Sequence, residues 1–490
     1  MELMPVGVVA ILLALATIIR PLSIGMTVYG VFMVMPVAAA VNLPALGGAS
    51  IQCSRVISLA LFLAVILRPR MMSQYLRHIT QNKPVIIFSL FVVYSVITAI
   101  YWPLLFGGEV DVYSINRGDS GGGLSKLVGS TGHITQSAYL IGDLVFFSVL
   151  TFIFLSRDAV LSVQRVFNAA TVTMIFFGVL SMVPSNPITS ATLEFVRTAN
   201  YAILTGHQIS GYTRVIGSMT EASVYGSAAV VFFTYNFVRF VQTRSVFHGL
   251  ASILLLAGVV LSFSTTGYAA LLVMVLVWSL KTTSSLVLKG LSAEDLTAVF
   301  VSALAASIVI LILFVEPVQL AAIDVLNSLF GEKLISDSGR ERGAWNEQAL
   351  RNFTETFGLG VGLGSARASS QILAVISNLG LIGFLLFVAF VFTLVHRRGY
   401  RYARFFDKDA LVNKQFASAA MAALVAEYSA QVISGTMVGP GMILLTLGAA
   451  ASGLWPNAPQ RVRAPLADYY ADVIRTRSMP VTPQDLKLAS

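Results

Sequence analysis

The sequence predicts an all-α, polytopic transmembrane bundle of about 12–13 helices, with a large extracytoplasmic loop that contains short helices. Composition is the first reason, because 56% of the 490 residues are hydrophobic and only 11% are charged. An average soluble domain has about 25% charged residues. So little charge cannot cover a water-facing surface of this length, and lipid has to cover it instead.

Thirteen apolar runs are the second reason. A transmembrane helix needs roughly 20 residues, so the short third run has to include residues upstream of it. The first two runs form either a hairpin or one span and a half-span. The apolar runs are too long for the strands of a transmembrane β-barrel, which is the other structure that can span a membrane. The runs lie at about 5–19, 22–42, 56–67, 84–106, 134–155, 166–183, 220–240, 246–263, 265–280, 296–315, 372–395, 411–434 and 437–455.

The distribution of basic residues is the third reason. Lys and Arg cluster after the third, fifth, seventh, ninth and eleventh runs, which predicts that these loops face the cytoplasm. We therefore predict a transmembrane domain at 1–455 and a cytoplasmic tail at 456–490. The outward loops are 107–133, 184–219, the turn near 264, and the main loop at 316–371.

The main outward loop contains the segment "SGRERGAWNEQALRNF" (338–353), which predicts a helix. Ser338 and Glu341 have the spacing of a capping box. Arg340, Glu347 and Arg351 then share one face, and Arg342 and Trp345 share the other. Arg340 and Arg342 lie in the first turn, where the helix dipole favours an anion. The alternative is a solvated helix that lies on the membrane surface.

The glycine-rich segment "GLGVGLGSARASS" (358–370) follows this helix. Gly360, Gly362 and Gly364 allow tight bends, and their N–H groups can line an anion site. Arg367 adds a positive charge there. The alternative is a flexible re-entry into the next helix.

Further ionisable residues lie at or inside the membrane boundary. Arg214 and Glu221 lie at the outer end of the seventh run, where an acid is costly unless it is paired or functional. They form either a functional site or a structural Arg–Glu pair. Asp143 and Glu427 lie within spans, and they mark a site or are satisfied by Tyr or Ser neighbours.

The sequence also predicts which chemistry to exclude. Cys53 is the only cysteine, so an intrachain disulfide cannot form. The sequence contains no metal-binding motif, P-loop or nucleophile elbow, and we predict no metal and no cofactor. The net charge of +9 comes from short clusters between apolar runs, which indicates membrane topology and not nucleic-acid binding.

Residues 210–395 resemble the O-antigen polymerase and ligase superfamily in the order and spacing of their motifs. An arginine-containing segment before a tryptophan, "SGRERGAW", precedes "GLGVGLGS" and then "SNLGLIGFLLFV". "RVIGSMTEASVYG" (214–226) is similar to the family's Arg-x-x-Gly-x-Phe segment. "LSFSTTGYAALL" (261–272) is similar to its S-R-G turn, with Thr265 or Thr266 in place of the arginine.

The resemblance implies an inverting, metal-independent glycosyl transfer at the outer face of the bacterial inner membrane. The donor would be an undecaprenyl-diphosphate-linked oligosaccharide. Arg214 and either Arg340 or Arg342 would then bind the diphosphate, because arginine binds phosphate through two donors. Trp345 would anchor the helix at the interface or stack on lipid or sugar. Glu221 is the first candidate general base, and Glu347 is the second.

One departure from the family decides between two activities. Ligases of this superfamily have a histidine before the "GLIG" helix, and that position is Ser369 here. This favours a polysaccharide polymerase over a ligase that transfers glycan to lipid A core or protein. Membrane lipids, a chain-length regulator and polysaccharide export proteins are the candidate partners. The alternative outside this class is a secondary transporter or flippase for a lipid-linked or anionic solute.

Overall fold

The computed structural model of this protein is a bundle of α-helices whose connecting segments contain short antiparallel strand pairings. The part of the chain that it describes has fifteen helices and seven short strands. The described residues are 1–44, 48–115, 123–156, 158–183, 186–201, 203, 208–209, 212–289, 337–396 and 408–454.

The helices are α1 (Pro5–Ile19), α2 (Leu22–Met33), α3 (Cys53–Ile66), α4 (Pro69–Gln81), α5 (Lys83–Leu105), α6 (Thr131–Ile153), α7 (Ala159–Leu180), α8 (Pro187–Val196), α9 (Ala222–Thr243), α10 (Val246–Leu261), α11 (Thr265–Lys289), α12 (Asp337–Glu355), α13 (Gln371–Val395), α14 (Lys408–Ser434) and α15 (Gly441–Gly453). The strands are β1 (Glu2–Leu3), β2 (Ala39–Leu43), β3 (Ala49–Gln52), β4 (Asp111–Tyr113), β5 (Leu124–Lys126), β6 (Gln208–Ile209) and β7 (Tyr212–Thr213).

Six of the described helices are long and apolar enough to cross a membrane, namely α5, α6, α7, α9, α13 and the Val412–Ser434 part of α14. Shorter apolar helices, among them α1, α2, α10 and α15, complete the bundle. The predicted all-α, multi-pass membrane fold is therefore confirmed. The predicted run at 296–315, the loop residues 316–336 and the tail 456–490 lie outside the described residues.

The third apolar run includes upstream residues, as predicted. α3 begins at Cys53, and a bend of 107° separates it from α4. Pro69 is the first residue of α4, a position that proline favours because its missing N–H is not needed there. Arg68 at the bend donates from Nη2 to the carbonyl oxygens of Ile18 and Arg20, so this corner lies at the end of α1.

The second apolar run is not one continuous helix, which differs from the prediction. α2 ends at Met33, and Ala39–Leu43 forms the buried strand β2, which pairs with β3. Pro36 explains the change, since proline lacks an amide donor and clashes with the preceding helical turn. The apolar character of β2 therefore reflects its burial among the loops and not a longer transmembrane helix.

Aromatic side chains pack the centre of the bundle. Phe88 of α5 stacks on Phe390 of α13 with ring centroids 4.5 Å apart, and Phe147 of α6 meets both rings edge-on. All three are fully buried. Buried aromatic pairs of this kind contribute about 0.5–1.5 kcal/mol each beyond the burial of their area, and they hold α5, α6 and α13 together.

The predicted outward loops gather at one end of the bundle. Ser114, just after β4, forms a β-bridge with Ala366 of the main loop. The amide of Thr198 donates to the carbonyl of Val37, which joins the second outward loop to the segment before β2. Met4, at the opposite end of α1 from Arg68, donates to Ala40 in that same region. The grouping agrees with the predicted alternation of loops.

Candidate functional site

The arginine-rich helix of the main loop, α12, is docked on the protein. It begins at Asp337, so Ser338 lies inside its first turn and does not precede it as the predicted cap. Gln348 Nε2 donates to the carbonyl of Asp111 in β4 at 2.7 Å, and Ala349 is fully buried. The alternative of a solvated helix lying free on the membrane surface is therefore wrong.

The two faces of α12 have different surroundings, in agreement with the predicted periodicity. Glu347 and Arg351 form the predicted i,i+4 ion pair at 2.6 Å on the exposed face, with both side chains more than 60% exposed. Arg340 is also exposed. Arg342 and Trp345 lie on the face that meets the rest of the protein. Glu347, the second candidate base, is therefore not brought together with the other candidates.

Arg342 meets Glu221 across the outer end of the bundle. Its Nη2 lies 3.2 Å from Glu221 Oε1, with the two side chains 35% and 27% exposed. Glu221 is the N-cap residue of α9, where the helix dipole favours a negative charge, and Ser223 donates to the same carboxylate oxygen. The structure thus joins two segments that the sequence analysis treated separately, and it brings Arg342 and not Arg340 to Glu221.

Arg214 completes the cluster from a third direction. Its Nε donates to the carbonyl of Ser262 at 3.0 Å, in the turn that resembles the S-R-G motif. Its Nη2 is buried and has no hydrogen-bond partner among the described residues. Burial lowers the pKa of the Arg214 guanidinium and the nearby Arg342 cation lowers it further, whereas the Glu221 carboxylate opposes both effects.

This Arg214–Glu221–Arg342 cluster has a net positive charge and an unused, buried donor. The predicted structural pair between Arg214 and Glu221 is not the ion pair that forms, because the pair within 4.0 Å joins Glu221 to Arg342. A desolvated guanidinium with a free N–H is suited to an anionic oxygen, since charge-assisted hydrogen bonds are strongest away from water. The cluster can therefore bind an anion such as a phosphate group.

Trp345 is buried, which overturns its predicted role at the membrane interface. The side chain is 8% exposed, and the guanidinium of Arg367 lies 4.9 Å from its ring centroid. Arg367 also donates from Nη2 to the carbonyl of Ile115 at 2.9 Å. This cation–π pair holds α12 against the segment after the glycine run. A diphosphate that binds Arg367, as predicted, has to compete with the contacts of Arg367 to Trp345 and Ile115.

The glycine run packs closely against other parts of the backbone. Its predicted role as an anion-binding loop is wrong at Gly360 and Gly362, because the amides of these residues already donate to protein acceptors. The amide of Gly360 donates to Thr356 Oγ1 and that of Gly362 to the carbonyl of Asn378, both at 2.8 Å. A Cβ at Gly364 would lie 2.8 Å from the carbonyl oxygen of Gly132. The backbone of this run therefore approaches other backbone too closely for a side chain.

The partner of the glycine run is a break in α13. Gly380, the first residue of "GLIG", has φ of 64° and ψ of −161°, which interrupts the helix. The amide of Leu381 donates to the carbonyl of Gly358 at 2.8 Å, and Tyr94 Oη donates to the carbonyl of Leu379. Backbone groups freed by a helix break inside a membrane protein need such partners. The motif pair "GLGVGLG" and "GLIG" is thus one structural unit.

Ser369, where a ligase of the superfamily would have histidine, is buried behind α12. Its amide donates to Asn346 Oδ1 at 2.7 Å. A histidine from elsewhere in the chain contacts this loop, since His133 Nδ1 lies 2.8 Å from the carbonyl oxygen of Leu363 and its side chain is buried. His133 packs on the glycine run and does not replace the missing histidine.

Asp143 is paired with an arginine that the sequence analysis did not single out. Arg55 Nη1 lies 2.8 Å from Asp143 Oδ1, and its guanidinium lies 4.4 Å from the ring centroid of Tyr139. The predicted Tyr or Ser partner is therefore replaced by a buried ion pair. Arg55 lies in α3, just upstream of the third apolar run, and a lone arginine beside an apolar run was the available signal.

Glu427 lines a cavity of about 320 Å³ at the same end of the bundle. Gln431 Nε2 donates to Glu427 Oε1 at 2.6 Å and to the carbonyl of Pro440 at 2.9 Å. Arg55 and Met219 also line this cavity. Gln431 follows Glu427 by four residues, so its partnership could have been predicted from helical spacing. The cavity, which needs five separate segments, could not.

Comparisons of this chain with protein-family models, with curated proteins and with solved structures find no match.

Proposed function

We propose that this protein is a membrane glycosyltransferase that polymerises undecaprenyl-diphosphate-linked oligosaccharide repeat units at the outer face of a bacterial inner membrane. The observation that supports it most is the meeting of Arg214, Glu221 and Arg342 at one end of the bundle. These residues come from the segments in which the sequence resembles the O-antigen polymerase and ligase superfamily.

The cluster suits the leaving group of this reaction. Departure of a lipid diphosphate builds negative charge on its terminal oxygen, and preorganised cations stabilise that charge most where water is excluded. Arg214 Nη2 is buried and unused among the described residues, so a phosphate oxygen can accept from it without displacing a protein acceptor. Arg342 adds a second guanidinium, 35% exposed and within reach of a ligand from outside.

Glu221 is the proposed general base, and its ion pair gives it a way to be released. A diphosphate that binds Arg342 competes with the Glu221 carboxylate for the same guanidinium. The freed carboxylate accepts the proton of the acceptor sugar hydroxyl as its oxygen attacks the anomeric carbon. The bond from that carbon to the phosphate oxygen breaks, and undecaprenyl diphosphate leaves with the electron pair, which inverts the anomeric configuration.

The polymerase is preferred over the ligase because of Ser369. Ser369 is buried, and its amide donates to Asn346 of α12. Its side chain is not titratable, unlike the histidine that ligases of the superfamily have at this position. An acceptor bound through its own lipid-linked repeat unit needs no lipid A or protein acceptor site. Detection of labelled glycan on lipid A core or on a protein would decide for the ligase.

A secondary transporter or flippase is the second candidate, and one observation favours it. Asp143, Arg55 and Glu427 are ionisable groups placed within or at the ends of apolar helices, and a cavity separates α3 from α14. Intramembrane charges of this kind often mark the pathway of a solute or proton. Transport predicts solute flux into vesicles that contain the protein, without any change in glycan length.

The test uses the purified full-length protein in lipid nanodiscs with undecaprenyl-diphosphate-linked repeat units. We expect a ladder of products that differ by one repeat unit. Arg214→Ala and Arg342→Ala should each lower the rate by about 100-fold, the loss typical of removing one charge-stabilising donor.

Arg351→Ala is the matched control, because this arginine lies on the exposed face of the same helix and should leave the rate unchanged. A ladder that persists at the wild-type rate in both cluster variants contradicts the proposed site. Absence of a ladder from wild-type protein contradicts the polymerase itself.

A further inference from the structure

A cavity lined by both apolar and polar residues lies beside the Arg214–Glu221–Arg342 cluster. It is bounded by the outer ends of α2, α3, α9, α14 and α15, and its volume of about 320 Å³ is within the usual range for small-molecule sites. Met219 and Val224 line it on either side of Glu221 in the sequence. Ser227 Oγ donates to the carbonyl of Ser223, whose hydroxyl contacts Glu221, so wall and cluster are connected.

One residue of the cavity wall, Gln431, has a hydrogen-bond acceptor that no described residue satisfies. Gln431 Oε1 is buried and has no donor among the described residues. Turning the amide over cannot repair this, because Nε2 already faces two acceptors, the Glu427 carboxylate and the carbonyl of Pro440. A buried acceptor without a donor is destabilising. A ligand that donates a hydrogen bond to Gln431 would remove this penalty.

The cavity also offers donors. Arg55 lines it, and among the described residues Arg55 Nε bonds Gln52 while Nη1 bonds Tyr139 and Asp143. Nη2 makes no hydrogen bond with any described residue and can donate to a ligand. Ser434 at the end of α14 adds a hydroxyl to the wall. Residues with hydrogen-bond acceptors and residues with donors therefore line the same cavity.

The charges of the wall favour a neutral ligand. The cation of Arg55 is balanced by Asp143 at 2.8 Å, so it does not make the cavity a site for an anion. The Glu427 carboxylate already accepts a hydrogen bond from Gln431 Nε2 at 2.6 Å, so it is not free to bind a cation. Sugar hydroxyls both donate and accept, and they have no charge to desolvate. Met33, Met219 and Met442 belong to the apolar part of the wall.

We propose that this cavity binds a neutral, polyhydroxylated ligand, namely a sugar unit of the lipid-linked donor, while Arg214 and Arg342 hold the diphosphate. This assignment rests on the proposed glycosyl transfer. Val224 and Ser227 follow Glu221 by three and six residues along α9, which corresponds to about 5 and 9 Å along the helix axis. A sugar in the cavity therefore lies next to a diphosphate bound at the cluster.

Thiol labelling tests occupancy of the cavity without depending on activity. Ser434→Cys places a thiol in the cavity wall, and the single native cysteine, Cys53, is buried, so wild-type protein gives the background. The probes are lipid-linked oligosaccharide, the free oligosaccharide released from it, and undecaprenyl diphosphate without sugar. We expect both sugar-containing probes to slow labelling by a methanethiosulfonate reagent about tenfold, and the sugar-free lipid to have little effect.

The outcomes separate the cavity from the reaction. Equal protection by the sugar-free lipid, or no protection by any probe while wild-type protein still makes a ladder, overturns the cavity assignment and leaves the polymerase standing. Protection by free oligosaccharide without a ladder supports the sugar site and overturns the polymerase.

Kinetics give a second, independent measurement. Gln431→Leu removes the buried acceptor at similar size, and it should raise KM for the lipid-linked repeat unit about tenfold with little change in kcat. Gln431→Asn, which keeps both an amide donor and an amide acceptor, should restore part of that affinity.

Gln74→Leu is the matched control, because Gln74 Oε1 in α4 is also buried without a partner in the described part of the chain, and Gln74 does not line the cavity. An unchanged KM in Gln431→Leu, or an equal rise in Gln74→Leu, overturns the assignment.

Discussion

Arg342 of α12 and Glu221 at the start of α9 form an ion pair of 3.2 Å although 121 residues separate them in the chain. The pair joins the main outward loop to the transmembrane bundle, and it places Arg342 beside Arg214. Because both partners are partly exposed, its contribution to stability is modest and sensitive to salt. Its larger consequence is to fix where the two guanidinium groups converge.

The Arg342–Glu221 pair should show a measurable coupling energy. We expect a double-mutant cycle of Arg342→Met and Glu221→Gln to give about 1 kcal/mol at low ionic strength. The coupling should fall when salt is raised, because mobile ions screen the pair. Apparent Tm in detergent measures it. The cycle of Arg351→Met and Glu347→Gln serves as the exposed control. A coupling energy of the Arg342–Glu221 pair that does not change with salt would contradict the prediction.

Gly360 should not tolerate a side chain. Its φ is +82°, and a Cβ would lie 2.6 Å from the amide nitrogen of Gly380 in the broken helix. We expect Gly360→Ala to destabilise the protein by about 2 kcal/mol or more, because backbone strain and overpacking act together. A lower apparent Tm and lower membrane abundance would report it.

Gly343→Ala is the control for this glycine, because Gly343 lies in α12 and a Cβ there meets nothing within 4 Å. Alanine should stabilise the helix slightly, by up to about 1 kcal/mol. Equal losses of stability in the two variants would show that the packing of Gly360 against α13 is not the cause.

The Arg55–Asp143 pair should respond asymmetrically to substitution. Arg55→Leu leaves the Asp143 carboxylate buried without its cation, which costs about 3–5 kcal/mol. The double variant Arg55→Leu with Asp143→Leu should recover most of that loss, since two apolar side chains replace the pair. Thermal unfolding of the purified protein measures both.

The exposed pair of Lys126 and Asp111, at 3.2 Å, provides the comparison. Lys126→Ala should change the free energy of unfolding by less than about 1 kcal/mol. A double variant at Arg55 and Asp143 that is as unstable as the single variant would contradict the argument from buried charge.

Substitutions of Arg367 and of Arg342 should have different effects, the first on stability and the second on kinetics. Arg367→Met removes the cation–π contact with Trp345 and should lower stability by about 1–2 kcal/mol, with KM for the lipid-linked donor unchanged in the folded fraction. Arg342→Ala should change the kinetics with little loss of abundance. A raised KM for the lipid-linked donor in Arg367→Met at normal abundance would instead indicate that Arg367 contacts the diphosphate.

Local sequence patterns predicted most of the described helices, but not the strand β2 inside the second apolar run. The 3.6-residue period placed Arg342 and Trp345 on one face of α12 and Glu347 and Arg351 on the other, as observed. The predictions that Trp345 lies at the membrane interface and that the amides of Gly360 and Gly362 bind an anion came from other arguments, and both are wrong. Whether a tryptophan faces lipid or packs on an arginine depends on which distant segment of the chain covers it. The 3.6-residue period of one helix does not predict that segment.

The sequence by itself determined the class of this protein, the approximate positions of its helices, and the short set of arginines and acids worth testing. Those properties follow from composition and from the geometry of one helix. The tertiary structure decided that Arg342 and not Arg340 meets Glu221, that Asp143 is paired with Arg55, and that the glycine run fills the break at Gly380. These pairings join segments far apart in the chain, and packing between helices, which one-dimensional spacing does not encode, selects them.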